Sequence, residues 1–297
     1  MVLAFFKLIR FKNLLMIGFI NCLIRFVLYP KFKYTPTLSD LEFIWFVFSI
    51  ICIAAAGNII NDYFDKATDA INKTELPILK FSTKSILWLF GVLNVVGIAI
   101  GIYFTLKINA AILGFTYIMS AIFLFLYSYK LKQLAFIGNL TVSFLIGYSI
   151  ALIGIIDVIP SFKDNGVMNG MYLFYIILGL TCFSIVLNFI RELVKDIEDI
   201  NGDYALDMLT LPIVIGRKRT VHIALALTVL TIITILWVVL RFDVNSYLFL
   251  YAIILLILPL IYFCIKVLKA TTKSDYHKMS SLLKLIMLLG ILSITLL

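Results

Sequence analysis

The sequence predicts an all-α integral membrane protein, a bundle of nine transmembrane helices with two aspartate-rich motifs at the cytoplasmic ends of helices 2 and 6. Three observations carry this. Of the 297 residues, 63% are hydrophobic and only 14% charged, and the mean hydropathy is +1.11. A soluble domain averages roughly 45–50% apolar and about 25% charged. Apolar runs close to the ~20 residues that span a bilayer recur along the chain. Finally, ten of the 16 acidic residues crowd into two short stretches, 62–75 and 192–207.

The apolar runs fall at about 13–29, 43–61, 85–106, 108–128, 134–156, 171–190, 220–240, 246–265 and 281–297. The opening MVLAFFKLIRFKN leads into the first run with no small-residue cleavage site after it, so that run is expected to be a retained span. Arg25 lies late in it, where it would snorkel outward or face a polar cavity. A tight turn near Lys107 separates the third and fourth runs, and the short ninth carries Lys284 near its start. No Gly/Ser linker divides the chain, which predicts one transmembrane domain over 1–297.

Lysine and arginine placement sets the orientation. With the N-terminus inside, segments 1–12, 62–84, 129–133, 191–219 and 266–284 hold 19 of the 25 basic residues. The opposite side holds five: Lys31, Lys33, Lys107, Lys163 and Arg241. Positive residues favour the cytoplasmic side, so the N-terminus and both acidic stretches are expected there, facing each other. The net charge of +9 is accounted for by these basic loops, and no nucleic-acid-binding motif is visible. Cys22, Cys52, Cys182 and Cys264 lie far apart in apolar runs and read as small buried hydrophobes. His222, His277, Trp45, Trp88 and Trp237 read as interfacial or packing residues.

The acids carry the chemistry. On a continuous helix at about 100° per residue, Asn58, Asp62, Asp65 and Asp69 share one stripe with Asn61 beside it. Glu192, Asp196, Asp199 and Asp203 repeat the four-three-four spacing after another span. Carboxylates packed this closely repel unless a cation binds between them. Carboxylates and amides are hard oxygen ligands suited to Mg²⁺, which binds readily where substrate phosphates complete its shell. Lys66 and Lys73 in the first stretch, and Arg191 and Lys195 in the second, would meet the remaining phosphate oxygens. With an apolar interior adjoining, the inferred substrate is a lipid diphosphate at the membrane face. A solvated acidic loop or a cation-coupled transporter would also place acids near spans. Identical spacing at equivalent span ends argues against the loop. The terminal position of the acids, with Pro259 the only proline deep inside a span, argues against the transporter.

These residues resemble the UbiA-type intramembrane prenyltransferases. Asn61-Asp62-x-x-Asp65-x-x-x-Asp69 is similar to that family's first signature. Arg191-Glu-Leu-Val-Lys195-Asp196-Ile-Glu-Asp199-Ile-Asn-Gly202-Asp203, with Thr210-Leu-Pro212 and Gly216, is similar to its second. Arg10-x-x-Asn13 and Tyr127-Ser-Tyr129-x-x-Lys132 followed by Gly138-Asn139 extend the likeness to essentially the whole chain. The resemblance implies Mg²⁺-dependent transfer of a prenyl group from an allylic diphosphate. It implies metal ligation by Asn61, Asp65, Asp69, Asp196, Asp199 and Asp203, with Asp62 sharing the catalytic role. It implies substrate contacts at Arg10, Asn13, Asn58, Asn61, Lys73, Tyr129, Lys132, Asn139, Arg191 and Lys195. The second motif looks most like the branch that prenylates geranylgeranylglyceryl phosphate, a lipid acceptor. Prenylation of an aromatic quinone precursor is the alternative acceptor chemistry. One departure stands out: where the family reads N-K-P-x-R-P, this chain has Asn72-Lys73-Thr74-Glu75-Leu76-Pro77, without the arginine.

Overall fold

A computed structural model describes residues 2–72, 76–242 and 244–297. Among them nine helices are long and apolar enough to cross a membrane: Phe11–Lys31, Asp40–Phe64, Thr83–Lys107, Ala111–Tyr129, Ile137–Asn165, Val167–Glu198, Arg217–Arg241, Ser246–Lys269 and Lys273–Leu296. They coincide with the nine apolar runs and overshoot most of them at the ends. Polar caps explain two of the early starts. Ser39 and Glu42 form a capping box at the head of the second span. Thr272 and Asp275 do the same for the ninth, which begins eight residues before its apolar run. A capping box satisfies amide donors that an apolar count does not see.

The spans close on themselves. The second packs on the third and fourth, the sixth on the fifth, seventh and ninth, the eighth on the seventh and ninth, and the ninth returns to the first. Large apolar side chains such as Trp88, Phe115, Tyr172 and Trp237 stay exposed on the outer faces. A greasy exterior of this kind suits a lipid solvent. The protein is a multi-pass integral membrane protein. Both acidic motifs emerge at one end of the bundle, the acid end, opposite its far end.

At the far end the backbone widens into π turns at Ile24–Leu28 in the first span and Gly154–Val158 in the fifth. Each aims one charge inward. Arg25 Nη1 meets Asp157 Oδ2 at 2.8 Å with both side chains buried. Arg25 Nη2 also donates to Leu38 O at 2.6 Å and Asp40 Oδ1 at 2.9 Å, and its guanidinium lies over the Phe43 and Tyr29 rings. Asp157 Oδ1 accepts from Leu38 N at 2.7 Å. Arg25 is buried and does not snorkel; it is half of an ion pair that pins the loop before the second span.

Candidate active site

Each acidic motif is bent at the same place. The second span stops at Phe64, Asp65 takes φ −80° and ψ 0°, and a new helix runs Lys66–Asn72. The sixth span stops at Glu198, Asp199 takes φ −99° and ψ 7°, and a new helix runs Ile200–Ala205. The straight four-residue stripe expected from the spacing is therefore two offset pieces. Asp62 and Asp196 lie before the bends, and Asp69 and Asp203 after them. The bends turn the two short helices onto each other, which brings the motifs together over the acid end.

Several of these acids are held by cations or amides. Asp62 Oδ1 accepts from Arg10 Nη2 at 2.8 Å. Arg10 sits at the joint before the first span with φ +53°, a region few non-glycine residues occupy. Burial opposes its charge, but the neighbouring Asp62 and Asp65 carboxylates outweigh that and push its pKa up. Asp65 pairs with Lys132 and also accepts from Asn61 Nδ2 at 2.6 Å. Asn139 Nδ2 donates to Asp196 Oδ2 at 2.7 Å. Lys273 lies 3.6 Å from Asp199. Lys132 is delivered by a loop that crosses the site, where Leu209 N donates to Gln133 O at 2.9 Å. Gly138 permits that crossing: a Cβ there would come within 2.6 Å of the Lys132 Cα.

Other expected contacts fall differently. Tyr129 is exposed and stacks along Phe125, with Phe64 edge-on. Tyr127, two residues earlier, is half-buried and lies within electrostatic range of Glu192, Asp65, Asp196 and Arg10. Asn58 Nδ2 is taken by Ile9 O at 2.9 Å, so it fastens the segment before the first span. Arg191 and Lys195 share the single carboxylate of Glu192, at 2.7 and 3.2 Å. Lys66 is exposed, His277 pairs at the surface with Glu198, and Lys73 lies outside the described residues.

Beneath the acids lies a cavity of about 210 Å³. Its mouth is polar, formed by Asn13, Asn58, Asn188, Arg191 and Lys284, and its depth is apolar, with Ile20, Ile50, Leu124, Leu145 and Ile150 in the wall. Asn58 is one helical turn, about 6 Å, below Asp62. Along the fifth span the lining runs from Val142 to Leu152, a depth of about 15 Å at the helical rise. Tyr117 and Tyr148 stand at the far limit. Gly101 makes room for Tyr117, since a Cβ at Gly101 would lie 2.3 Å from its ring.

The donor set fits a divalent cation. Asn61 Oδ1 is buried with no hydrogen-bond partner among the described residues, a hard oxygen beside the Asp65 carboxylate. Burial and the Asp199 charge push Asp203 up to about 6, a strain that a bound cation relieves. Among the described residues no three acidic, histidine or cysteine side chains converge on one point. An ion here would take one or two protein oxygens and complete its shell with phosphate and water, the habit of Mg²⁺.

An all-helical membrane bundle with paired acidic motifs above a greasy cavity defines a membrane enzyme that acts on a lipid carrying phosphate. Residues 32–289 match the UbiA prenyltransferase family; the chain belongs to that family, and it is a prenyltransferase. It is 33% identical over 293 residues to a digeranylgeranylglyceryl phosphate synthase of Methanosphaera stadtmanae, covering 97% of each chain. It is 35% identical over 236 residues to one of Pyrococcus horikoshii, covering 78% of this chain and 76% of the other. A solved structure concerning digeranylgeranylglyceryl phosphate synthase in membranes superposes with a TM-score of 0.66 at 27% identity, covering 100% and 99% of the two chains. A UbiA homologue from Archaeoglobus fulgidus bound to DMAPP and Mg²⁺ shares the fold, with a TM-score of 0.58 at 13% identity over 99% and 100% of the chains.

Tyr127, Asn188 and Lys284 join the site without having been singled out for it in the sequence. A usable signal existed for two of them: an amide and an ammonium inside apolar spans are costly unless they face a cavity.

Proposed function

We propose that this protein transfers a geranylgeranyl group from its diphosphate to geranylgeranylglyceryl phosphate, forming an ether bond and releasing diphosphate. The observation that carries this is the stacking of two bent acidic motifs directly over an apolar cavity about 15 Å deep. The full-length similarity to digeranylgeranylglyceryl phosphate synthases supports the acceptor. The whole chain acts as one transmembrane domain, with N-terminus and acid end on the cytoplasmic side, as the distribution of basic residues favours.

The diphosphate sits between the motifs, and the prenyl tail extends into the cavity among Ile20, Leu124 and Ile150. Mg²⁺ ions, each taking one or two oxygens from among Asn61, Asp65, Asp69, Asp196, Asp199 and Asp203, would neutralise charge on the departing diphosphate. Lys132 and Arg10, now on Asp65 and Asp62, are placed to turn to the phosphate oxygens. Breaking the allylic C–O bond leaves a cation on the first prenyl carbon. The Tyr127 hydroxyl and the surrounding carboxylates face that charge. The acceptor hydroxyl adds to the carbon, and its proton leaves with the diphosphate. The apolar walls keep competing water out.

Purified protein with geranylgeranyl diphosphate, Mg²⁺ and a panel of acceptors, followed by mass spectrometry, tests the reading. Diether phosphate and free diphosphate are expected. Product only with an aromatic acid would replace the acceptor, and cation-coupled solute uptake without diphosphate release would remove the enzyme altogether.

A further inference from the structure

Lys284 lies 11 residues into the ninth span, about 16 Å along the helix, where an ammonium is expensive without a counter-charge. Its Nζ donates to Asn13 Oδ1 at 2.6 Å, a neutral amide. Among the described residues no carboxylate lies within ion-pair distance of it. The charges that act on it most strongly, Arg191, Lys12, Lys195 and Arg10, are all cations. Arg191, on the same cavity mouth, spends Nη1 on Glu192, while its buried Nε has no partner. Lys195 leans on the same Glu192. Arg191 and Lys195 thus share the one carboxylate of Glu192 while Lys284 has none, so the three cations exceed their carboxylate by two. A phosphate monoester near neutral pH carries up to two negative charges.

This wall differs in chemistry from the acidic motifs. There, carboxylates require a metal before they can hold a diphosphate; here, cations can hold a phosphate without one. The amide of Asn188 lies on the same mouth, one turn before Arg191. We infer that Lys284 and Arg191, flanked by Asn13 and Asn188, form an anion subsite that binds the phosphate monoester of the acceptor lipid. The inference deepens the acceptor reading above and rests on it. Lys195, expected from the sequence among the substrate contacts, is not in the cavity wall.

The test varies each substrate separately, with geranylgeranyl diphosphate and Mg²⁺, for wild type, Lys284→Met and Lys284→Arg. Geranylgeranylglycerol, which lacks the phosphate, is run as a second acceptor. Lys284→Met should raise the acceptor KM about tenfold or more while the donor KM stays within about twofold. It should also erase most of the wild-type preference for the phosphorylated acceptor, and Lys284→Arg should restore it. If Lys284→Met does not remain monodisperse in detergent, Lys284→Gln keeps a partner for Asn13 without the charge. An equal rise in donor KM would assign Lys284 to the diphosphate and overturn the subsite. So would an unmoved acceptor KM in a wild type that uses geranylgeranylglyceryl phosphate. A wild type that cannot use that acceptor at all overturns the function proposed above, and the subsite with it.

Discussion

At the far end Arg25 and Asp157 meet at 2.8 Å, and Leu38 and Asp40 take up further donors and acceptors of the pair. At the acid end Lys284 meets only the Asn13 amide, Arg191 Nε and Asn61 Oδ1 lack partners among the described residues, and six aspartates flank two bends. Both ends bury charge in the same bundle, under the same cost of desolvation. The far end settles that cost inside the protein and so builds a joint. The acid end settles it only in part, through Arg10, Lys132, Asn139 and Lys273, and a phosphate with its metal would complete it. Unmatched charge therefore marks the site better than charge alone, which both ends possess.

The largest expected effect breaks the comparison at the acid end. Asp65→Ala, Asp69→Ala, Asp196→Ala and Asp199→Ala should each lower turnover by roughly 10³-fold or more, and EDTA should do the same to wild type. Each variant should elute as a folded monodisperse protein, because removing one of several repelling carboxylates does not destabilise the bundle. Full activity in any two of them would dismiss the two-motif mechanism.

Arg25→Ala should show the reverse pattern. Removing one partner of a buried pair costs about 3–5 kcal/mol, so the melting temperature in detergent should fall well below wild type. The kcat/KM of the surviving folded fraction should be unchanged. A loss of activity at full stability would place the far end within the mechanism.

A smaller effect sharpens the picture at the acid end itself. Tyr127→Phe removes a hydroxyl within electrostatic range of Asp65, Glu192 and Asp196, and kcat should drop about tenfold. Tyr129→Phe changes an exposed ring on the Phe125 face, and should leave kcat within about twofold. Equal effects would mean that the hydroxyl of this segment is not what matters.

Much of this was legible in the sequence. The nine spans could be counted because a helix is one of the few ways a chain can satisfy its backbone inside lipid. The ninth began earlier than its hydropathy, because Lys273, Asp275 and Lys278 mask a helix started by Thr272. Both acidic motifs were visible by spacing. Their bends at Asp65 and Asp199 were not, since neither position is a glycine or proline that would mark a break in the spacing. Tyr129 looked as good as Tyr127 because two positions on a helix differ by about 200°, and composition does not say which side is wet. Arg25 and Lys284 looked alike as single charges in apolar spans. What separates them is a carboxylate 132 residues away for Arg25 and only the amide of Asn13 for Lys284, neither of which is written locally.

Tyr117 reaches the cavity limit only because residue 101 has no side chain. Gly101 itself does not line the cavity, yet it decides where the ring rests. The depth of the pocket is then a ruler whose zero mark is set from outside it, on a neighbouring helix. A single methyl at Gly101 would press the ring toward the cavity and shorten the scale. Gly101→Ala should shift the enzyme toward a farnesyl over a geranylgeranyl donor in a competition assay, with the acidic motifs and their metal untouched.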